Sequence, residues 1–279
     1  MMRVLITGGH GLIGGRLIRL LSPSHEVWSL VRRQAKVDGA IEIVGDLASP
    51  ALPAGLPDAA DVVIHLAQSR HYRALPERAD DVFAVNVAST ARLLEWARTH
   101  GVAQFILAST GAVGQASSAA SLYVASRHCA ESLAQTYAPH FNVLVARFFF
   151  AYGPEQDQSM LIPRLIGNVR SGGPITLSGE QGLRLNPVHV EDAARALEAC
   201  VRLRAHGTVD VAGCDVVSLR GLAEQIGQLV GQEPRFLIDA TSPPQDLIGN
   251  PTRMRELCGP HRWSLESGLR DMVAGAHNA

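Results

Sequence analysis

Two side chains that could move a proton together lie four positions apart in the stretch "SLYVASRHCAES" (residues 121–132). If this stretch is a helix, Tyr123 and Arg127 share one face, because residues four apart are neighbours on a helix. A free tyrosine ionises only near pH ~10, and an adjacent cation favours its phenolate form. The pair therefore predicts a proton donor or acceptor for an oxygen that reacts beside it.

The start of the chain predicts a site for a phosphorylated ligand. "RVLIT" (residues 3–7) has the apolar composition of a strand, and apolar residues recur at helical spacing in residues 12–21. Between them, Gly8, Gly11 and Gly14 form Gly-x-x-Gly-x-x-Gly. Glycine permits a positive φ and lets the backbone approach a pyrophosphate, whose charge the helix N-terminus favours. A strand, a glycine turn and a helix in this order predict a dinucleotide site rather than a merely structural turn.

The second and third strands bear on which dinucleotide binds. "EVWSLV" (residues 26–31) is followed by Arg32 and Arg33, where an NAD-binding domain usually places an acid on the ribose 2′-hydroxyl. Two cations suit a 2′-phosphate, so NADP is favoured and NAD is the alternative; a solvated basic pair is the structural explanation. "IEIVGDL" (residues 41–47) contains Asp46, which either accepts the adenine amino group or caps a turn.

Composition excludes several other classes of protein. The 279 residues carry a formal charge of −1, which favours neither nucleic acid nor an anionic membrane as a partner. No apolar run is long enough to span a bilayer, and the four cysteines are far apart, as expected for reduced thiols in a cytoplasmic protein. The eleven histidines lack the spacing of metal ligands, so we expect no metal site.

The alternation of strand-like and helical stretches predicts an α/β fold with a doubly wound parallel (Rossmann) sheet. Ligands bind such sheets beyond the carboxyl ends of the strands. Further motifs follow along the chain, each occurring once: "DVVIHLAQS" (61–69), "NVASTARLLEWA" (86–97), "FILASTGAVG" (105–114), "YVASR" (123–127), "ARFFFAYGP" (146–154) and "RLNPVHVEDAARAL" (184–197). With the glycine turn, they resemble the extended short-chain dehydrogenase/reductase family of nucleotide-sugar epimerases, dehydratases and reductases over nearly the whole chain.

The resemblance to this family implies roles for Tyr123 and Arg127. In the family a Tyr-x-x-x-Lys pair serves hydride transfer, and its lysine also bonds the nicotinamide ribose. Here the fifth residue is Arg127, which has the charge and a fork of donors but a different shape. We expect Arg127 to be a working substitute; an impaired or repurposed site, and an ordinary helix-surface pair, are the alternatives. Thr110 matches the catalytic serine or threonine that would hold the reacting oxygen.

The remaining site residues follow from the motifs and the resemblance together. The residues expected at the cofactor are Gly8, Gly11, Leu12, Ile13, Gly14, Arg32, Arg33, Asp46, Leu47, Leu66, Ala67, Gln68, Asn86, Tyr123 and Arg127. The residues expected at the substrate are Thr110, Phe150 and Arg184. Phe150 stands where the family often has asparagine, and "SPPQD" (242–246) has proline where an arginine often binds diphosphate. These departures keep open a carbonyl substrate without a nucleotide.

The resemblance also predicts organisation and activity. We expect a dinucleotide-binding domain at residues 1–153, with residues 187–212 returning to it, and a smaller, interleaved α/β substrate-binding domain at 154–279. We expect reduction of a keto group on a nucleotide-activated sugar. The alternatives are a 4-epimerase with the same residues and a cofactor-binding sensor or scaffold with little turnover. Gly111 and Ala112 follow Thr110, where family dehydratases carry two acids, which argues against a dehydratase.

The quaternary structure is predicted from the same family. Helices at residues 86–97 and 122–137 carry apolar residues beyond one face, and the family pairs these helices across a dimer. We therefore expect a homodimer through a four-helix contact.

Overall fold

The structure is a computed structural model that describes residues 1–34, 37–74, 76–114 and 121–275. In the described residues the strands are β1 (Arg3–Thr7), β2 (Glu26–Val31), β3 (Ile41–Val44), β4 (Val62–His65), β5 (Gln104–Thr110), β6 (Asn142–Phe148), β7 (Pro174–Ser178), β8 (Arg184–Leu185), β9 (Gly207–Val211), β10 (Val217–Ser218) and β11 (Arg235–Asp239). The helices are α1 (Leu12–Leu21), α2 (Ala79–Phe83), α3 (Ser89–Thr99), α4 (Leu122–Thr136), α5 (Leu161–Ser171), α6 (Val190–Arg202), α7 (Leu219–Val230), α8 (Thr252–Cys258) and α9 (Leu265–Gly275). A π-helical turn (Ala84–Ala88) joins α2 to α3, and a 3₁₀ turn (Gly111–Gly114) follows β5.

Seven strands form the central sheet in the order β3-β2-β1-β4-β5-β6-β9. The pairs β3–β2, β2–β1, β1–β4 and β4–β5 are parallel. Helix α1 connects β1 to β2, and α2 and α3 lie between β4 and β5. All four residues of β4 are buried, as expected for a parallel strand covered on both faces. The predicted doubly wound parallel sheet is confirmed. The strand order reverses at β1, so the carboxyl ends of β1 and β4 flank the crevice where such folds bind ligands.

The chain forms two compact units. The first comprises Met1–Arg147 and Ala194–Val209, and it contains β1 to β5 with their helices. Its core includes Leu5, Leu93 and Phe105, which are fully buried.

The second unit comprises Phe148–Ala193 and the chain from Asp210 onward, and it has a separate apolar core. Helices α5, α7 and α9 contribute buried residues to this core. Two small sheets belong to this unit: β10 pairs antiparallel with β8, and β11 pairs parallel with β7.

The helices expected at a dimer contact use much of their apolar surface within the chain. Leu93 and Leu94 of α3 are fully buried in the core of the first unit. Trp96, Leu133 and Tyr137 pack against that same core. Across the described ranges, no helix is long and apolar enough to cross a membrane.

Candidate active site

The turn between β1 and α1 is built so that only glycine fits at its key positions. Gly8 has φ +79°, a left-handed conformation, and a Cβ there would lie 3.0 Å from the Ala67 amide nitrogen. A Cβ on Gly14 would lie 2.4 Å from the Gly8 carbonyl oxygen. These contacts pack the turn against the start of α1 and against the residues after β4.

The N-terminus of α1 retains free donors for an anion. Gly11 occupies the N-cap position, and among the described residues no side chain caps the helix and no acid lies in its first turn. The first amide groups of a helix have no partner within it, and the helix dipole favours negative charge at this end. Leu12 and Ile13, both partly buried, form the first turn. The geometry fits the pyrophosphate of a dinucleotide.

The edge beyond β2 and β3 presents charges of both signs. Arg32 and Arg33 are exposed directly after β2. A carboxylate oxygen of Glu42, in β3, lies 2.8 Å from Nε2 of His10, and His10 belongs to the glycine turn. Sequence reasoning missed this acid, because its contact with the turn spans 32 positions.

The residues after β3 include two predicted cofactor contacts. An Asp46 carboxylate oxygen accepts from the Ala48 amide at 2.9 Å, so the side chain shapes the turn and is also exposed. Leu47 is buried in the core. Of the two roles expected for Asp46, the structure shows the capping of a turn. A direct contact between Asp46 and adenine stays a prediction.

His65 ends β4 and is held in one neutral form by a chain of hydrogen bonds. The Ala67 amide donates to Oγ1 of Thr7 (3.2 Å), which lies 2.7 Å from His65 Nδ1. On the other side, His65 Nε2 lies 3.1 Å from Oγ1 of Thr90, which donates to the Asn86 carbonyl. Since Thr90 uses its proton on that carbonyl, the network assigns the imidazole proton to Nε2 and makes Nδ1 an acceptor.

The environment of His65 disfavours its charged form. The ring is fully buried. Burial, and then the positive charge of Arg127, lower the pKa of His65 from 6.5 to about 3. The imidazole is therefore neutral near pH 7 and serves to join β1, β4 and the helix that carries Thr90.

Asn86 positions the helix that carries Tyr123. It lies in the π-helical turn and is fully buried. Its side-chain oxygen accepts from the Ser69 amide at 2.9 Å, and its Nδ2 donates to Ser126 Oγ at 3.0 Å. Ser126 Oγ in turn donates to the Tyr123 carbonyl at 2.7 Å. The Asn86 side chain thus links the segment after β4 to the first turn of α4, while its direct contact with cofactor stays a prediction.

Tyr123 and Arg127 meet at a third side chain, Gln68. Arg127 Nη2 donates to Gln68 Oε1 at 2.8 Å, and the Tyr123 hydroxyl donates to the same oxygen at 3.3 Å. The guanidinium carbon lies 5.7 Å from the centre of the Tyr123 ring. Arg127 is only 2% exposed, and its Nη1 also donates to the Ala108 carbonyl at 3.4 Å. The pair predicted from spacing therefore shares one face, at the carboxyl ends of β4 and β5.

The surroundings of the pair leave polar groups for a ligand. In the described part of the chain, Arg127 Nε and the Ser109 hydroxyl are buried and have no hydrogen-bond partner. Thr110, at the end of β5, is partly exposed, and its hydroxyl lies 3.4 Å from the Ala112 amide. Buried donors without partners fit the hydroxyls of a cofactor ribose.

The aromatic contact to Tyr123 was not predicted. The rings of Tyr72 and Tyr123 lie 5.0 Å apart and are tilted by 46°. Ser69 Oγ fixes the segment that carries Tyr72, because it donates to Asp81 and accepts from the His71 amide. No periodic pattern marks a loop residue of this kind, so sequence reasoning had no signal for it.

The two predicted substrate residues outside this cluster belong to the second unit. Phe150 has φ +47°, a left-handed conformation rare for a bulky residue, and it packs against the core of that unit. Arg184 is paired with Asp246: its Nε lies 2.8 Å from one carboxylate oxygen, and its backbone amide donates to the other at 2.7 Å. Hydrogen bonds from Arg184 hold the pKa of Asp246 below its usual value. The described residues contain no group of three or more His, Cys, Asp or Glu that could hold a metal.

The fold and this cluster define a class of protein. An uncapped helix after a glycine turn lies at the reversal of strand order in a parallel sheet, as in dinucleotide-binding α/β enzymes. The model of the NAD-dependent epimerase/dehydratase family matches residues 4–212. The chain belongs to this family of enzymes, whose members use NAD with nucleotide sugars.

Curated relatives cover three reactions. The uncharacterized UDP-glucose epimerase YtcB of Bacillus subtilis is 26% identical, over 98% of this chain and 97% of its own length. A dTDP-4-dehydro-6-deoxy-D-allose reductase of Streptomyces bikiniensis is 25% identical, over 91% and 88%. A dTDP-glucose 4,6-dehydratase of Mycobacterium tuberculosis is 24% identical, over 98% and 92%.

Solved structures resemble the whole chain. MoeE5, in complex with UDP-glucuronic acid and NAD, is 25% identical, with a TM-score of 0.81 and 99% of both chains covered. UDP-glucuronic acid 4-epimerase from Bacillus cereus, also with UDP-glucuronic acid and NAD, is 19% identical, with a TM-score of 0.84 and the same coverage. At 19% identity, the similarity to the Bacillus cereus epimerase shows a shared fold and no more.

Proposed function

We propose that the protein reduces a keto group of a nucleotide-activated sugar, with Tyr123 as the proton donor to the carbonyl oxygen. The observation that carries this proposal is the meeting of Tyr123 and Arg127 at Gln68, beside the glycine turn. The experiment is to follow NADPH and NADH absorbance with a panel of nucleotide-linked 4-keto sugars. Consumption of reduced cofactor with at least one of them is expected. A chain that binds cofactor yet oxidises none of it with any panel member contradicts the proposal.

The chain divides the work among its own residues. The nicotinamide supplies the hydride, and the protein supplies orientation and charge. Thr110 would hydrogen-bond the carbonyl oxygen, and Tyr123 would deliver the proton as negative charge develops there. Arg127 would hydrogen-bond the nicotinamide ribose and so hold the cofactor beside the Tyr123 hydroxyl. The turn of Gly8, Gly11 and Gly14 would hold the pyrophosphate.

Reduction is proposed over elimination because of the residues after Thr110. Gly111 and Ala112 form the beginning of the 3₁₀ turn, and neither supplies a carboxyl group. Acid–base removal of water needs a positioned acid and base beside the sugar. The relatives include dehydratases, so the discriminating measurement is direct: with NDP-hexose alone, we expect no unsaturated or 4-keto-6-deoxy product.

A 4-epimerase is the second candidate, favoured by the likeness to the epimerase YtcB. An epimerase retains its cofactor and returns the hydride, so it changes the sugar without net consumption. Mass spectrometry of the co-purifying ligands, followed by product analysis with and without added NADPH, separates the two. A cofactor-binding sensor or scaffold would bind cofactor with little turnover, and Tyr123→Phe would leave that turnover unchanged. In either enzyme, Tyr123→Phe would lower the turnover.

For the cofactor, we propose preference for NADP(H) over NAD(H). Exposed Arg32 and Arg33 support it; Glu42, paired with His10, is the opposing charge at the same edge. We expect Arg32→Ala with Arg33→Ala to weaken NADPH binding and to leave NADH binding unchanged. Tighter binding of NADH by the unaltered protein would refute the preference.

For the substrate, we propose that residues 1–153 bind the dinucleotide and that residues 154–279 supply Arg184 to the sugar nucleotide. Phe150, near the end of the first of these segments, is proposed to contact the same substrate. The pairing of Arg184 with Asp246 reduces its net charge toward a diphosphate. Carbonyl substrates without a nucleotide are therefore tested alongside the nucleotide-linked panel.

For assembly, we propose a homodimer through the helices at residues 86–97 and 122–137. The side chains that remain outward there include partly buried Val87 and exposed Cys129, and exposed Phe83 precedes them. A monomer mass by light scattering at micromolar concentration would contradict the dimer. Cytoplasmic location stays a prediction.

A further inference from the structure

Glu42 joins the two segments that flank the end of β2. One of its carboxylate oxygens, Oε1, lies 2.8 Å from His10 Nε2 in the glycine turn. The same oxygen accepts from the Val37 amide at 3.0 Å, in the chain that follows Arg33. A carboxylate has only acceptors, so His10 Nε2 carries the hydrogen of its contact. The Glu42 side chain is 10% exposed, so these contacts hold its charge in a defined place at the edge of the sheet.

The strand register puts Glu42 on the face of the sheet that carries the glycine turn. Glu42 is the register partner of Ser29 in β2, and paired residues of neighbouring strands point to the same face. The turn packs on that face, because a Cβ on Gly9 would collide with Ser29 Oγ. The Gly8 amide also donates to the Leu30 carbonyl at 3.2 Å. The Glu42 carboxylate therefore lies beside the turn that would hold the pyrophosphate.

A dinucleotide held at this turn presents the ribose of its adenosine half to the end of β2. An acid at the end of the second strand usually bonds the ribose 2′-hydroxyl, and a cation there accommodates a 2′-phosphate instead. Here β2 ends in Val31, followed by the exposed cations Arg32 and Arg33, and none of the three is an acid. The acid at this edge comes from β3, the neighbouring strand.

We propose that Glu42 is a specificity-determining residue for the cofactor, whose carboxylate replaces the acid that β2 lacks and disfavours a 2′-phosphate on the ribose. A 2′-phosphate brings negative charge toward a fixed negative charge, and this repulsion weakens NADPH binding. NADH has a neutral hydroxyl there, from which a carboxylate accepts. Glu42 thus opposes Arg32 and Arg33, and limits the preference for NADP(H). This inference rests on the proposed binding of a dinucleotide at the glycine turn.

The test compares NADPH and NADH binding to Glu42→Gln by fluorescence titration with the two reduced cofactors. Glutamine keeps the length of the side chain and an oxygen for the Val37 amide, and it removes the charge. We expect the ratio of the NADH to the NADPH dissociation constant to rise about fivefold or more, the factor for two like unit charges ~4 Å apart in water. A loosened turn that weakened both cofactors alike would leave this ratio unchanged.

Further variants separate charge from shape. Glu42→Asp keeps the charge on a shorter side chain, so its ratio should rise less than that of Glu42→Gln. The matched control is Glu95→Gln, which removes one negative charge from an exposed position of α3 and should leave the ratio unchanged. If urea unfolding shows Glu42→Gln to be misfolded, Glu42→Met, which is neutral and of similar length, takes its place with the same expected ratio.

A ratio that rises more in Glu42→Gln than in Glu42→Asp supports the proposal. A ratio that is unchanged or lower in Glu42→Gln, or that rises equally in both variants, overturns it. The proposed preference for NADP(H) is decided separately, by the unaltered protein alone, and the titration needs no substrate or turnover. An unaltered protein that binds neither cofactor refutes the dinucleotide site, and this inference with it.

Discussion

Lowering the pH from 7 to 4.5 should weaken the fold through one buried histidine. His65 is fully buried and neutral, with its pKa lowered from 6.5 to about 3 by burial and then by Arg127. The unfolded chain takes up a proton as the pH falls below about 6.5, while the folded chain resists until about pH 3. Stability is therefore complete above this window and is lost as the pH falls through it.

The magnitude follows from the width of the window. Each unit of pH between the unfolded and folded values is worth about 1.4 kcal/mol, so at pH 4.5 His65 removes roughly 2–3 kcal/mol from the free energy of unfolding. Most carboxyl groups titrate below this range, near pH ~4, so the upper part of the window reports mainly on histidine.

Urea unfolding between pH 7 and pH 4.5 measures the effect. The variant is His65→Asn, which keeps a polar side chain between Thr7 and Thr90 and cannot take up a proton. It should be less stable at pH 7 and should lose roughly 2–3 kcal/mol less than the unaltered protein on acidification. His140→Asn, at an exposed histidine, is the matched control. Equal pH dependence in His65→Asn and the unaltered protein would refute the reasoning.

Two further substitutions test the backbone. Gly14→Ala should cost about 1–3 kcal/mol of stability and abolish cofactor binding, because the added Cβ would lie 2.4 Å from the Gly8 carbonyl oxygen. The control is Gly15→Ala, whose Cβ would lie 3.6 Å from the nearest backbone oxygen. In the same urea and fluorescence titrations, this control should keep the stability and the cofactor affinity of the unaltered protein. Phe150→Asn should change the unfolding free energy by less than about 1.5 kcal/mol, because asparagine adopts positive φ more readily and this offsets lost packing. Phe149→Ala, at the buried neighbour, should cost about 3–5 kcal/mol; equal losses at both positions would contradict the assignment of strain to Phe150.

The local parts of the fold could be predicted from the sequence. The order of strand, glycine turn and helix depends on neighbours in the chain, and the structure has β1, the turn and α1 where expected. The helix predicted at residues 86–97 is less simple, because Asn86 lies in a π-helical turn that precedes α3. No periodicity of apolar residues distinguishes such a turn from the helix around it.

The sequence and the family resemblance predicted which residues meet at the candidate site, but the contacts between them only where two residues share an element. Tyr123 and Arg127 lie on one helix, so their spacing already placed them on one face. Gln68 was expected at the same cofactor site, but it lies 59 positions from Arg127, and its hydrogen bonds to Arg127 and Tyr123 were not predicted. The same holds for Arg184, whose partner Asp246 is 62 positions away. Hydrogen bonds between distant residues depend on the sheet order, which local patterns leave open.

The rate of hydride transfer in Tyr123→Phe tests the central claim most directly. The measurement is a single-turnover reaction of saturating NADPH with a nucleotide-linked 4-keto sugar that the unaltered protein reduces, followed by the loss of NADPH absorbance. The account predicts a rate about 10²–10⁴-fold lower, the usual contribution of a general acid, with cofactor still bound at saturation because the glycine turn and Arg127 remain. A Tyr123→Phe protein that reduces the same sugar at the rate of the unaltered protein would contradict the account.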